Sequence, residues 1–354
     1  MIKKVHIQNF KSINNLEIET ARINLFIGEN GSGKSNLLEA LVFASASDSN
    51  KLDNEFLTSR GIRVTAPELM RSAFEEKLSQ NIKIYLSFTG DVSTNYEFVN
   101  ENTAYSQWYE LASKIINALS NTEEEILQWF NRRKNIVNFI IYSPENSSLR
   151  NFYKEGQIEP LGINGEGLLK LLNVVNNYED KSYINTIKES LELFNWFKAI
   201  KIPNSLSHSE DKVEIKDKFL YKSFDQRSAN EGFLFILFYI TLIVAKETPK
   251  AFAIDNIDAS LNPKLCTKLM TVLTDLAKKY DKQIFLTTHN PAILDGIDLN
   301  DEEQKLFTVS RNKNGHTRMK EITVESKPKS SDDEPLKLSE AFLRGYLGGL
   351  PKGF

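Results

Sequence analysis

The chain has 354 residues, 41% hydrophobic and 26% charged, a composition that suits a globular protein with a substantial core. Its net charge of −3 supplies no global basic field for nucleic acid, although a local patch would not show in that sum. Cys266 is the single cysteine, which excludes an intrachain disulfide and a cysteine-built zinc site. In chain order, residues 1–8 alternate, with Val5 and Ile7 on one face and Lys4 and His6 on the other, and read as a strand. Asn9-Phe10-Lys11-Ser12 turns into a second short strand at Leu16-Glu17-Ile18. Ile23-Asn24-Leu25-Phe26-Ile27 is an apolar run suited to a buried strand.

That run opens directly into Gly28-Glu29-Asn30-Gly31-Ser32-Gly33-Lys34-Ser35, which fits the phosphate-binding pattern of Gly, four residues, then Gly-Lys-Ser. Residues 36–43, beginning at Asn36, have helical periodicity, so the motif sits in the strand–loop–helix context it needs. Glycines let successive N–H groups face phosphate oxygens, and the helix N-terminus adds positive potential. Lys34 is expected to reach the β- and γ-phosphates, and the Ser35 hydroxyl to ligate Mg²⁺. The bland alternative is a glycine-rich turn.

Farther along, residues 67–78 pattern as a short helix, and residues 83–88 and 96–99 as strands. Residues 106–119 have helical spacing, and Thr122 with Glu125 forms a capping-box signature for another helix. Residues 138–142 form a buried-strand run that stops at Ser143-Pro144-Glu145-Asn146. Residues 166–176 and 184–197 are amphipathic helices, and residues 213–221 a strand pair or edge. Ser228-Ala229-Asn230-Glu231 precedes the apolar helix 233–245. This run is too short and interrupted for a membrane span, and Met1-Ile2-Lys3-Lys4 is no signal peptide, so a cytoplasmic protein is expected.

Ala251-Phe252-Ala253-Ile254-Asp255 is a hydrophobic strand ending in a carboxylate that can hold Mg²⁺ beside Ser35. Residues 283–286 form another strand, followed by Thr287-Thr288-His289-Asn290. A polar linker at 325–335 precedes an amphipathic helix at 338–347, whose Phe342, Leu343, Tyr346, Leu347 and Leu350 can make one docking face.

The opening IQNFKSI, the run INLFIGENGSGKSNLLEAL, and the segments Asp255–Pro263 and Thr287–Asn290 resemble the ATPase heads of the ABC/SMC/RecF group. Within it the chain is most similar to stand-alone, OLD-like AAA-family ATPases of bacteria. The resemblance implies an α/β P-loop NTPase fold of ABC type, with a mixed central sheet, an antiparallel β lobe, a helical lobe and no long coiled coil. It implies a head over residues 1–324, with insertions near 45–135 and 160–200, then the linker and the tail at 336–354. It implies ATP and Mg²⁺ as cofactors, held by Asn30, Gly31, Ser32, Gly33, Lys34, Ser35 and Asn36, with Ser35 and Asp255 on the metal. His289 resembles the switch histidine that meets the γ-phosphate or the attacking water. Phe10 and Lys11 would lie close to the base, or else be a core aromatic and a surface lysine. Glu145 or Asn146 would sense the γ-phosphate, or else form a simple turn.

Two departures stand out. Asn256 occupies the place where such heads carry the glutamate that polarises water, and an amide cannot accept a proton. Asp258 lies two residues on and offers a carboxylate at a different offset. The signature motif, Ser228 to Glu231, keeps its Ser and Glu but has Asn230 at the Gly position. Ser228 and Glu231 would meet the γ-phosphate of a second subunit, or Ser228 would be an N-cap serine. Slow hydrolysis is therefore expected, in a homodimer or higher homo-oligomer closed by an ATP sandwich. The chain ends before room for the nuclease domain of OLD-type proteins, so an effector partner encoded nearby is expected, with phage defence as the setting. The alternatives are a RecF-like ATPase that clamps duplex DNA and a non-hydrolysing, nucleotide-gated scaffold.

Overall fold

The computed structural model of the chain describes residues 1–74, 80–90, 93–103, 106–111, 136, 138–151, 158–203, 212–327 and 336–350. The chain separates into two units, one of residues 1–141, 250–257 and 283–354, the other of residues 142–249 and 258–282.

In the first unit, β1 (Ile2–Phe10) turns through Lys11, whose φ of 47° is left-handed, into β2 (Ile13–Glu19). β4 (Ile82–Phe88), β5 (Ser93–Val99) and β6 (Tyr109–Glu110) complete an antiparallel sheet of order β2-β1-β4-β5-β6. β6 corrects the start of the helix expected over 106–119: Tyr109 pairs with Val99, and an open sheet edge recruits residues 109–110 over their local periodicity. The remainder of that helix and the Thr122 cap lie outside the described residues.

β3 (Ile23–Gly28) is buried at every position, as a strand covered on both faces must be. It lies inside a second, mixed sheet of order β14-β13-β3-β12-β11-β7, built with β7 (Ile141–Tyr142), β11 (Ala251–Ile254), β12 (Gln283–Thr288), β13 (Gln304–Arg311) and β14 (Thr317–Ile322). α1 (Lys34–Asp48) touches β1 of one sheet and β3 and β12 of the other, which is why it is apolar around most of its circumference. Phe10 is fully buried against Phe43 of α1, at 5.9 Å between ring centroids, and Phe43 in turn packs on Phe98 and Trp108. Phe10 is thus a core aromatic rather than a base contact. The sheets are also tied by Gln283: its amide donates to the carbonyls of Ile2 and Ala21, both at 2.7 Å, and accepts from the Ile2 N–H at 2.8 Å. Short helices α2 (Asn54–Ser59) and α3 (Pro67–Met70) follow α1, α3 being shorter than its periodicity predicts.

In the second unit, α4 (Asn146–Leu149), α5 (Leu168–Asn176), α6 (Ser182–Ser190) and α8 (Pro263–Lys279) all touch α7 (Glu231–Val244). That surround explains why α7 is hydrophobic on every side. The helix expected over 184–197 stops at Ser190; a single tight turn follows, then β8 (Phe197–Lys201). Phe194 and Trp196 pack on Phe233 at 5.4 and 5.3 Å, and a continued helix would not deliver both rings there. β8 joins β9 (Glu214–Asp217) and β10 (Phe224–Asp225) in a small antiparallel sheet. Lys282 is buried, its Nζ donating to the carbonyls of Ala245, Thr248 and Pro249 and to the Thr248 hydroxyl, so a charge closes the turn after α7. Among the described residues the longest helix, α8, has 17 residues, and no helix is long and apolar enough to cross a membrane.

The tail packs on the first unit through α9 (Leu338–Leu343), which ends before the expected residue 347 at Gly345, with φ of 77°. Leu338, Phe342 and Leu347 are buried, while Leu343 and Tyr346 stay exposed. Ser339 bonds Asp295 through its N–H at 2.9 Å and its hydroxyl at 2.7 Å, and the Gly349 carbonyl accepts from the Glu29 N–H at 3.1 Å. Phe342→Ala should therefore destabilise the protein by about 3 kcal/mol. Urea denaturation checks this; a midpoint equal to that of the parent would show that the tail contributes nothing to the fold.

Candidate functional site

Strands β3, β11, β12 and β13 run parallel, so their carboxyl ends lie at one edge of the sheet. Ligands of open α/β sheets bind at that edge. It carries the glycine-rich loop after β3, Asp255 after β11, His289 after β12 and Arg311 at the end of β13. A cleft of about 740 Å³ opens there, lined at this end by Asn30, Gly31, Gly33, Lys34, Ser35, Asn36, Asp255, Asn256, His289 and Arg311. Residues separated by more than two hundred positions in sequence thus meet where the motif spacing predicts.

The loop conformation depends on glycine. Gly33 caps α1 with φ of 105°, and a Cβ there would lie 2.0 Å from Thr317 Oγ1 and 2.7 Å from Ser12 Oγ. Around it Thr317 Oγ1 donates to the Ser32 carbonyl at 2.9 Å, Ser12 and Thr317 share a 2.6 Å bond, and Asn36 Nδ2 donates to Ser12 at 2.6 Å. Ser32 is fully buried, so it serves the loop through its backbone. Lys34 is only 5% exposed. Its Nζ donates to the carbonyls of Gly28 and Glu29 at 2.9 and 3.0 Å and lies 3.5 Å from His289 Nδ1. It is a cation held inside the loop rather than a surface lysine.

Ser35 Oγ lies 3.4 and 3.3 Å from the two Asp255 oxygens. A hydroxyl and a carboxylate side by side at the start of α1 form the donor pair that a small hard cation takes up beside a phosphate chain. The residues therefore fit a nucleoside triphosphate with Mg²⁺. Thr287 orients this pair, since its hydroxyl bonds Asp255 and accepts from the Asn256 N–H at 3.0 Å. Asn256 is exposed and left-handed, with φ of 55°. Asn tolerates that region better than Glu, so the backbone itself favours the amide.

Of a second tier of this cleft, the resemblance pointed to Lys11, while its partners Glu39 and Arg63 were missed. Glu39 is 1% exposed and is bonded by both Lys11 Nζ and, at 2.7 Å, Arg63 Nε. Lys11 Nζ also donates to the Arg63 carbonyl at 2.8 Å, and Arg63 Nη2 reaches Asn36 Oδ1 at 3.3 Å. Burial pushes the Lys11 ammonium below the usual lysine range, and Glu39 opposes that shift. Lys11 and Arg63 both line the cleft, adding two cations to Lys34, Arg71 and Arg311 there. Arg311, also unforeseen, fixes the loop by donating to the Gly31 carbonyl at 2.7 Å. Glu39, Arg63 and Arg311 have no motif of their own; packing and the strand order bring them in.

The other candidates belong to the second unit. Ser228 is exposed, its N–H donating to Asp225 Oδ1 at 3.2 Å, and Asn230 rather than Ser228 caps α7, accepting from the Phe233 N–H at 2.8 Å. Glu231 is the first residue of α7. Arg150, not foreseen, clamps this loop through the carbonyls of Gln226, Arg227 and Ala229 at 3.0, 2.6 and 2.9 Å. Asp258 acts on Tyr239 and Cys266; burial, then Asp258, pushes the Cys266 thiol up to about 11. Asp258, Glu145 and Asn146 are not among the residues lining the cleft. Asn146 instead accepts from Arg150 Nε at 2.9 Å.

Comparison with known proteins accords with this geometry. Residues 23–295 match the family model described as "AAA domain, putative AbiEii toxin, Type IV TA system". The DNA replication and repair protein RecF of Bacteroides thetaiotaomicron is 40% identical over 58 residues, a match spanning 16% of each chain. RecF of Listeria monocytogenes is 36% identical over 55 residues, 15% of each. An SMC head solved bound to the C-terminal winged-helix domain of ScpA superposes with a TM-score of 0.60 at 15% identity, over 92% of this chain and 98% of that one. The SMC head domain from Thermotoga maritima gives 0.51 at 15% identity, over 91% and 99%. At such identities the likeness shows the fold, that of an ABC-type P-loop head.

Lys34→Ala should abolish ATP binding, because the substitution removes the one cation built into the phosphate loop. It should also cost about 1–3 kcal/mol of stability, since two loop carbonyls lose their donor. Isothermal titration with ATP and a urea melt measure the two effects, and unchanged ATP affinity would remove the site.

Proposed function

Because the chain belongs to the AAA-domain family described as putative AbiEii toxins of type IV toxin–antitoxin systems, we propose that it is an ATPase with slow turnover whose ATP-driven assembly controls an effector in phage defence. The observation that carries this reading is the meeting of Lys34, Ser35, Asp255 and His289 at the carboxyl ends of four parallel strands. Mg²⁺ bound with ATP supplies Lewis-acid polarisation of the phosphate oxygens. The loop N–H groups and Lys34 hold the phosphate charge, and Ser35 with Asp255 holds the metal. His289, exposed and 3.5 Å from Lys34 Nζ, hydrogen-bonds the terminal phosphate or its water in this reading. Asn256 orients water without accepting its proton, which keeps turnover slow. In the assembled state Ser228 of a second copy, on a loop stiffened by Arg150, completes the phosphate shell. An effector protein is the expected partner, and the protein works in the cytoplasm.

A second reading draws on the RecF matches: the assembled protein clamps duplex DNA. It requires an ATP-dependent shift of duplex DNA that weakens steeply with salt. Assembly on ATP without any measurable turnover would instead select a nucleotide-gated scaffold.

Asn256→Glu should raise single-turnover hydrolysis by up to about a hundredfold. The left-handed backbone there should cost the variant about 1 kcal/mol of stability. A rate no faster than that of the parent would mean that proton transfer to residue 256 does not limit the reaction.

Ser228→Arg should leave ATP binding intact and block ATP-dependent growth in mass by light scattering. If the parent has the same mass with and without ATP, the sandwich model fails.

A further inference from the structure

The cleft changes character along its length. Beyond the phosphate loop and the Lys11–Glu39–Arg63 group it is lined by Thr65, Leu69, Arg71, Ala73 and Phe74. Leu69 is 57% exposed there, although the next residue, Met70, is fully buried in the core. Phe74 is half-buried, and among the described cleft residues it is the only one with a benzenoid ring. Its ring is braced from the β13–β14 turn. The His316 ring meets it at 4.6 Å and 60°, and a Cβ on Gly315 would come within 3.1 Å of its Cε1. His316 is in turn 3.3 Å from Asn14 Nδ2.

That bracing is tied to the phosphate loop. His316 adjoins Thr317, whose hydroxyl bonds the Ser32 carbonyl and Ser12. The ring therefore sits at a fixed offset from the loop that takes the phosphates. Neither rival for the same task is free for it: Phe10 is buried in the core, and Arg71 is 2% exposed, donating to the carbonyls of Gln80 and Asn100 at 3.0 and 2.6 Å.

We propose that Phe74, with Leu69 beside it, is the platform on which the nucleobase of the bound nucleotide stacks. The inference rests on the nucleoside triphosphate reading of the cleft and adds the base-recognising residues to it. A heteroaromatic base has a π-face on each side, and an aromatic side chain held from behind takes one of them without ordering cost. Leu69 and Ala73 add apolar contact at this end of the cleft. Stacking reads planarity and size rather than hydrogen-bond pattern, so purine nucleotides should bind better than pyrimidine nucleotides.

The test separates base from phosphate. Isothermal titration of the full chain, with Mg²⁺, compares ATP with inorganic triphosphate, which has no base. Phe74→Ala should weaken ATP binding about tenfold and leave inorganic triphosphate unchanged. Phe74→Trp, which keeps a π-face, should restore ATP affinity. Equal loss of both ligands in Phe74→Ala would make the ring a prop for the loop and overturn the proposal, as would ATP affinity equal to that of the parent. If the parent chain binds neither ligand, the nucleotide reading itself falls and takes the base platform with it.

Discussion

The pairing of β3 with β12 on one side and β13 on the other, all three strands parallel, is the constraint on which the rest of the first unit depends. Parallel strands send their carboxyl ends to one edge, so every loop leaving that edge is delivered to the same space. β3 delivers the phosphate loop, β12 delivers His289, β11 beyond it delivers Asp255, and β13 delivers Arg311 and the turn that carries Thr317. A one-residue slip would turn each of these side chains away. The slip is opposed by packing, because β3 and β12 are buried on both faces and each side chain is fitted to the neighbours on its own face.

The polar interior of this unit is specific rather than merely tolerated. Glu39 lies at 1% exposure between Lys11 and Arg63, and taking a carboxylate out of water is costly unless its partners come with it. The arrangement holds two cations at the cleft while leaving the buried carboxylate paired. Gln283 does comparable work without charge, meeting three backbone groups of two segments far apart in sequence. Removal of Gln283 would strand three buried backbone groups, and removal of Glu39 would take the carboxylate from a part-buried Lys11, so the worth of each exceeds that of a single hydrogen bond.

Asn256 shows how backbone and chemistry constrain the same position. Its left-handed φ and its N–H bond to Thr287 place the side chain at the end of the strand that carries Asp255. The sequence alone presents Asn256 as a missing carboxylate. The structure adds that the backbone at this point accepts Asn with less strain than Glu. The amide is thus a stable local solution, and slow chemistry would follow from it.

The phosphate loop, the carboxylate ending β11 and the histidine after β12 were legible because each is a local signal, a glycine spacing or an apolar run closed by a polar residue. The same locality misled at 106–110 and 191–197, where an open sheet edge and the Phe233 aromatic cluster outweigh helical periodicity. Arg63, Arg150, Arg311 and Phe74 carry no motif, since their neighbours lie far away in the chain and a basic or aromatic residue in a loop looks like any other. Local sequence determined that β3 would run into a glycine-wrapped loop and a helix, because turn chemistry and burial pattern act within a few residues. Only the tertiary structure decided that Phe10 is core while Phe74 faces the cleft, and that Lys34 is held inside its loop. Those outcomes depend on which surfaces two sheets and a helix cover when they pack, and that is a property of the whole unit rather than of any stretch of it.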